Sequence, residues 1–269
     1  MHSATQLDSV TGLHLSRDRL EAALGAPVES LAHKLVLEPG CGAGRFTELL
    51  VGAGAIVHAF DLSRAVDANR RNIGQPPNYS IAQADILEIP YPDESFDTIV
   101  CLGVLQYTPS PEASLRSLWR VLKPGGLLVV DQYAWSISRA TKLDALLRQV
   151  LIRIDPDVAK QVSDTLVRWL FPLHWTIRRW PIVQALLSRI SPVSTYMRTV
   201  PQLSKGQHYD LAMLDTYNHL TGHFQHITTP SRMSKVLRAL GAVNIDVEAG
   251  GNGVVGRATK PEAGATSLA

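Results

Sequence analysis

The chain has few cysteines, no long apolar run and almost no net charge, and each shortage removes a class of protein. Two cysteines in 269 residues, Cys41 and Cys101, stand in apolar or glycine-rich surroundings without a C-x-x-C or Cys/His spacing. That usage fits a reducing compartment rather than a disulfide framework. No stretch reaches the roughly eighteen apolar residues of a membrane span, and Met1 to Val10 lacks the basic start and apolar run of a signal peptide. The expectation is a cytoplasmic protein with no transmembrane segment. A formal charge of +2 implies neither a polyanionic nor a strongly acidic partner. What is present, 45% hydrophobic and 19% charged residues, suffices to bury one full core, as a large domain or a domain with a sizeable insertion. No internal repeat is visible.

Leu15 to Leu24, closed by Gly25, has helical spacing of its apolar residues and predicts a short leading helix. From Lys34 short apolar runs alternate with helical stretches. Leu35–Leu37, Ile56–Phe60, Ser80–Ala84, Thr98–Leu102 and Leu127–Val130 read as strands buried on both faces, and Arg45–Val51, Arg64–Asn72 and Glu112–Leu122 as helices. A β-α-β-α order implies a parallel sheet, so the predicted fold is α/β, a Rossmann-like, doubly wound, mostly parallel sheet. Its ligands belong beyond the carboxyl ends of the strands.

After Tyr133 the strand pattern stops, and amphipathic helices broken at Pro156, Pro172, Pro181, Pro192 and Pro201 follow. They read as a helical insertion, or lid, after strand five. It holds Trp169, Trp175 and Trp180, and is basic, with Arg139, Lys142 and Arg148 among eleven cations against Asp144, Asp155, Asp157 and Asp164. A solvated helical face with core tryptophans accounts for this pattern; an anionic or membrane-adjacent substrate, with peripheral membrane contact through the lid, is the alternative. The α/β pattern returns with a helix at Ser231–Leu240 and strands near Val243–Val247 and Gly253–Ala258. The expected organisation is 1–133 for the leading helix and ligand-binding core, 134–205 for the lid, 206–260 for completion of the core, and 261–269 for a disordered tail.

The most informative stretch is Leu35-Val36-Leu37-Glu38-Pro39-Gly40-Cys41-Gly42-Ala43-Gly44-Arg45-Phe46: a strand, a turn with glycine at alternate positions, and a helix start. Glycine lets the backbone approach a ligand, and a helix N-terminus offers free amides to an anion. A dinucleotide fingerprint from Gly40 needs glycine where Arg45 stands, and a phosphate-binding loop needs Gly-Lys-Ser/Thr, which is missing. Asp61, at the end of Ile56–Asp61, is placed to accept a ribose diol, a feature that also suits NAD. Ala82-Gln83-Ala84-Asp85-Ile86 ends on a carboxylate for an adenine amino group, with Ile86 to pack on the ring.

The E-x-G-x-G-x-G arrangement resembles the first motif of class I S-adenosylmethionine (SAM)-dependent methyltransferases, in which the strand's acidic residue faces the cofactor across the glycine turn. Ser95 to Tyr107 resembles that family's fourth strand and following loop, and Leu122-Lys123-Pro124-Gly125-Gly126 its turn into strand five. The resemblance covers about Leu35 to Val130. It implies SAM as cofactor, held by Glu38, Gly40, Cys41, Gly42, Gly44, Asp61, Leu62, Asp85, Ile86, Leu102 and Gly103, with Gly103 under the methionine portion.

In related small-molecule methyltransferases the loop after strand four often carries a histidine pair; here Gln106 and Tyr107 occupy it, and Gln106 cannot act as a base. His219, His223 and His226 are the candidate proton acceptors, because an unperturbed imidazole titrates near neutrality. Asp215 to His226 resembles the stretch between lid and helix in sugar and natural-product tailoring methyltransferases. Gln106, Tyr107, Tyr133 and Asp215 are candidate substrate contacts. The three histidines have spacings seen in metal sites, but no acidic pattern or cysteine completes one, so no metal is expected. The loop after strand four lacks the Asn/Asp-Pro-Pro-aromatic motif and no Pro-Cys nucleophile is present, so no nucleic-acid substrate is expected. The predicted activity is methyl transfer to a small-molecule acceptor, first of all O-methylation of a secondary metabolite, sugar or lipid-like compound. N- or C-methylation, SAM binding without catalysis and an NAD-dependent oxidoreductase are the alternatives.

Overall fold

The computed structural model describes residues 7–134, 144–251 and 253–262. They form two compact units: an α/β unit of residues 7–134 and 224–262, and a helical unit of residues 144–223. Met1 to Gln6, residues 135–143 with Arg139 and Lys142 of the basic insertion, and residues 263–269 of the expected tail lie outside the described residues.

The α/β unit opens with helices α1 (Asp8–Thr11) and α2 (Leu15–Leu24), the second ended by Gly25 in the left-handed conformation. Strands β1 (Leu35–Pro39), β2 (Ile56–Asp61), β3 (Tyr79–Gln83), β4 (Phe96–Cys101) and β5 (Leu122–Ala134) then alternate with helices α3 (Thr47–Gly52), α4 (Ala65–Ile73) and α5 (Pro111–Val121). After the helical unit the chain returns as β6 (Ile227–Thr228), a helix at Pro230–Ala239, β7 (Val243–Gly250) and β8 (Gly253–Thr259). The sheet order is β3-β2-β1-β4-β5-β8-β7, with β6 pairing on β5. The first five strands and β6 pair in parallel, whereas β8 and β7 add antiparallel to β5.

Alternation along the strands divides the core between the two sheet faces. Leu37, Ile99, Leu128 and Val130 pack with Leu115 and Leu118 of α5 and with Met233 and Leu237. Val36, Val57, Val100 and Val129 pack with Leu20 and Leu24 of α2 and with Leu49 and Leu50 of α3. Burial on both faces does not extend to β3 and β7: they end the sheet, and several of their side chains are open to solvent. Helix starts are chemically marked. Ser110 accepts from Ala113 N ahead of Pro111, and Thr229 from Arg232 N ahead of Pro230, which puts the last helix one residue before its expected start.

The helical unit consists of α6 (Asp144–Leu151), α7 (Pro156–Ile177), α8 (Pro181–Ile190) and α9 (Lys205–Thr221); the Pro230–Ala239 helix is therefore α10. Pro156 and Pro181 each sit at a helix start, as the sequence predicts, but Pro172 lies inside α7. Its missing N–H removes one helical hydrogen bond, offset by Val167, Phe171 and His174, which lie buried on one face of α7, with Ala212 of α9 in the same apolar cluster. The unit also runs past residue 205. Lys205–Thr221 is one continuous helix, opened by a capping box between Ser204 and Gln207, and belongs with α7 rather than with the sheet.

Candidate functional site

β1 delivers Glu38 and Pro39, and the chain then turns through Gly40, Gly42 and Gly44 at φ of 69°, 51° and 104°. A Cβ on Gly40 would lie 2.3 Å from Val104 Cγ2, whereas one on Gly42 would meet nothing within 4 Å. Gly40 is thus demanded by packing against the loop after β4, and Gly42 by backbone conformation beside open space. The amides of Gly40 and Cys41 donate to Phe60 O, that of Gly42 to Asp61 Oδ2 at 3.0 Å, and that of Gly44 to Cys41 O. Those four are spent within the protein and leave the set of free donors expected for a ligand. The Cys41 thiol is buried in the core, with its pKa pushed far up by burial, so Cys41 shapes the loop from inside.

Glu38 is buried and accepts from Thr47 Oγ1 at 2.7 Å. Burial pushes its carboxyl up to about 8, against the lowering effect of the Thr47 hydrogen bond and with a smaller raising contribution from Asp61. Behind it runs a polar relay: Asn69 Nδ2 donates to Thr47 Oγ1 at 3.0 Å, and Tyr79 Oη donates to Asn69 Oδ1 at 2.6 Å.

Asp61 stands at the end of β2, where Oδ1 accepts from both the amide and the hydroxyl of Ser63 while Oδ2 takes Gly42. Leu62 beside it is 66% exposed. One strand over, Asp85 follows β3, half-buried, with Oδ1 accepting from Leu87 N, and Ile86 is turned into the core. Leu102 is buried after β4. Gly103, at φ 81°, donates its amide to Asp131 Oδ1. Asp131 is fully buried on β5, and its Oδ2 accepts from Arg19 of α2 at 2.6 Å. Glycine loop, β2 end, β3 end and the loop after β4 thus all lie at the carboxyl edge of the sheet, with the half-buried Asp61 and Asp85 at its strand ends.

Beyond Gly103, Gln106 is fully buried with neither side-chain atom hydrogen-bonded, and its carbonyl accepts from His226 N at 2.9 Å. The Tyr107 and Tyr133 hydroxyls share a 2.5 Å hydrogen bond. Because β6 pairs along the end of β5, with Ile227 opposite Tyr133, the α/β unit brings Gln106, Tyr107, Tyr133 and His226 into one neighbourhood. His226 stacks on Phe224, its Nε2 is buried without a partner, and it lines a cavity of about 30 Å³ with Gln132, Glu112 and Arg232. That space admits a water but no substrate.

His219, His223 and Asp215 belong to the helical unit. His219 Nε2 lies 2.7 Å from Asp144 Oδ2, and the His223 carbonyl accepts from Arg148. Among the described residues no group of three or more His, Cys, Asp or Glu side chains could hold a metal ion. The sequence expectations did not include Thr47, Asn69, Tyr79, Arg19 or Asp131. Asp131 carried a usable signal, a lone carboxylate closing the apolar run Leu127–Val130, the same signal that marks Asp61.

Residues 37–130 match the family described as "Methyltransferase domain". The chain is 35% identical over 100 residues to a ubiquinone biosynthesis O-methyltransferase of Thiobacillus denitrificans, covering 36% of this chain and 43% of that protein. It is 28% identical over 184 residues to a demethylmenaquinone methyltransferase of Clavibacter sepedonicus, covering 66% and 72%. The chain thus spans less than half the length of the first of these relatives. Among solved structures it resembles human N-acetylserotonin methyltransferase in complex with SAM, with a TM-score of 0.51, 14% identity and coverage of 92% of this chain and 52% of that one. A protein of Methanococcus maripaludis assigned to the SAM-dependent methyltransferases gives a TM-score of 0.51, 15% identity and coverage of 96% and 92%. These two likenesses bear on the fold, which they share. Glycine turn, strand-end carboxylates and matched segment agree: residues 37–130 are a methyltransferase domain of the class I SAM-dependent type, whose cofactor is SAM.

Proposed function

We propose that this protein transfers the methyl group of SAM to an oxygen of a hydroxylated small molecule, with a quinone-type or other aromatic ring as the acceptor class. The observation that carries this is the placement of the buried Gln106 and the Tyr107–Tyr133 hydroxyl pair directly after the Gly103 segment of the cofactor cradle. The cradle fits the cofactor's chemistry. Asp61 and Asp85 accept from the ribose and adenine ends, the open side of Gly42 leaves room, and Glu38 offers a carboxyl toward the cationic end. A diol that takes both Asp61 oxygens displaces the exposed Ser63 hydroxyl, since a carboxylate has about four acceptor directions and three are filled.

SAM supplies an electrophilic methyl on a sulfonium, so the protein's task is alignment and exclusion of water. Tyr107 and Tyr133 position the acceptor hydroxyl, and His226, the candidate histidine of the α/β unit, takes its proton through a water held in the small cavity that it lines. Relatives named for ubiquinone biosynthesis and for demethylmenaquinone support a ring acceptor. The second name belongs to the longer match, which favours C-methylation as the second reading.

The test is methyl transfer from methyl-labelled SAM to a catechol and a hydroquinone, with product fragmentation to locate the methyl on oxygen or carbon. The expected result is an O-methyl product, with His226→Ala lowering kcat about a hundredfold, as for loss of a general base, at unchanged SAM affinity. A C-methyl product selects the second reading, an unchanged kcat removes His226, and no transfer by a SAM-binding protein contradicts catalysis on such rings.

A further inference from the structure

Helix α8 is built inside out. Its buried side carries Gln184, whose Nε2 lies 3.0 Å from His174 Nδ1 and 3.4 Å from Thr195 Oγ1, and His174 Nε2 lies 2.8 Å from Ser191 Oγ. Gln184 is the sole buried residue of α8, and the polar network locks the helix's rotation. Its opposite side carries Ile182, Leu186 and Ile190, spaced i, i+4, i+8 on one stripe, and these are 76%, 65% and 62% exposed, with Val183 alongside. A surface helix that hides a glutamine and shows three large aliphatics has its apolar face matched to something other than its own core.

The charge of the chain on either side of α8 says what. Between Thr165 and Tyr209 the chain has six basic residues and no acidic one, and Arg168, Arg179, Arg189, Arg198 and Lys205 are exposed. Trp180, at the N-cap of α8, is exposed, as is Trp169 on α7. A second copy on this face would set cation against cation. A bilayer with anionic headgroups satisfies both halves, since aliphatics enter the acyl boundary, tryptophans lie at headgroup level and arginines meet phosphates. At ten residues α8 is about 15 Å long, far short of a span, and none of the described helices is long and apolar enough to cross a membrane.

We propose that α8 is an interfacial anchor that docks the protein on anionic membrane surfaces, an inference independent of the methyl-transfer assignment. The test is flotation of the full chain with vesicles of phosphatidylcholine alone and of equal parts phosphatidylcholine and phosphatidylglycerol. The protein is expected to float with the anionic vesicles only and to be released at about 0.5 M salt. Ile182→Glu combined with Leu186→Glu should weaken binding at least about tenfold with Arg179→Glu acting likewise, while the exposed Val243→Glu on β7 binds as wild type. Unchanged thermal melts establish that the variants fold, and Arg179→Glu keeps the test open should the double variant not fold. The proposal is overturned if the wild type ignores anionic vesicles, if the α8 variants float as well as wild type, or if wild type forms a dimer that the double variant dissolves.

Discussion

Glu38 is the side chain in which burial bears most directly on the proposed cofactor site. Its ordinary carboxyl value is 4.5, and in the folded protein burial raises it to about 8, so in the free protein at pH 7 it is mostly protonated. Between those two values the folded chain holds a proton that the unfolded chain has lost. Stability is therefore full below about 4.5, falls as pH rises towards 8, and is flat above. Glu38→Gln keeps an acceptor for Thr47 and removes the titration, so its stability should not fall across that window; urea unfolding at pH 5 and pH 8 measures this. Binding a cation beside Glu38 favours its ionised form, so SAM should displace up to one proton at pH 7, read by calorimetry in buffers of different ionisation enthalpy. Glu38→Gln should release none. Release by the variant equal to wild type removes Glu38 from the cationic end of the site.

At the scale of elements, the glycine turn was legible because it needs residues that nothing else replaces. Gly40→Ala places a methyl against Val104 and forces alanine to φ 69°, costing roughly 1–2 kcal/mol for the left-handed backbone alone, with the clash added. A lower Tm and weaker SAM binding are expected, with Val104→Ala recovering the clash portion only; full recovery would mean that the backbone conformation carries no cost. Strands β1, β2 and β4 were equally legible, since buried parallel strands write unbroken apolar runs such as Leu35-Val36-Leu37. Edge strand β3 was placed within one residue but misjudged in burial, because its position in the sheet is set by partners distant in sequence. Pro172 was misread because local propensity yields to tertiary packing: Phe171 and His174 hold α7 through the proline. The Asp131–Arg19 pair was invisible, its partners lying 112 positions apart.

For the molecule as a whole, sequence pattern separated sheet from insertion but ended the insertion too early. Lys205–Thr221 has a weak apolar stripe, so its membership of the helical unit shows only in its packing beside α7. The histidines illustrate the consequence. His219, His223 and His226 are neighbours in sequence, yet the first two belong to the helical unit and the third to the α/β unit, so their spacing alone says little about shared chemistry. The residues proposed to hold the cofactor lie wholly within the α/β unit, and the central claim rests on them. Calorimetric titration of the purified protein with SAM, S-adenosylhomocysteine and NAD tests that claim most directly. The account predicts saturable one-to-one binding of SAM and its product and none of NAD, with Asp61→Ala weaker by roughly tenfold to a hundredfold, as for loss of two hydrogen bonds. Binding of NAD alone, or of neither SAM nor S-adenosylhomocysteine, would contradict it.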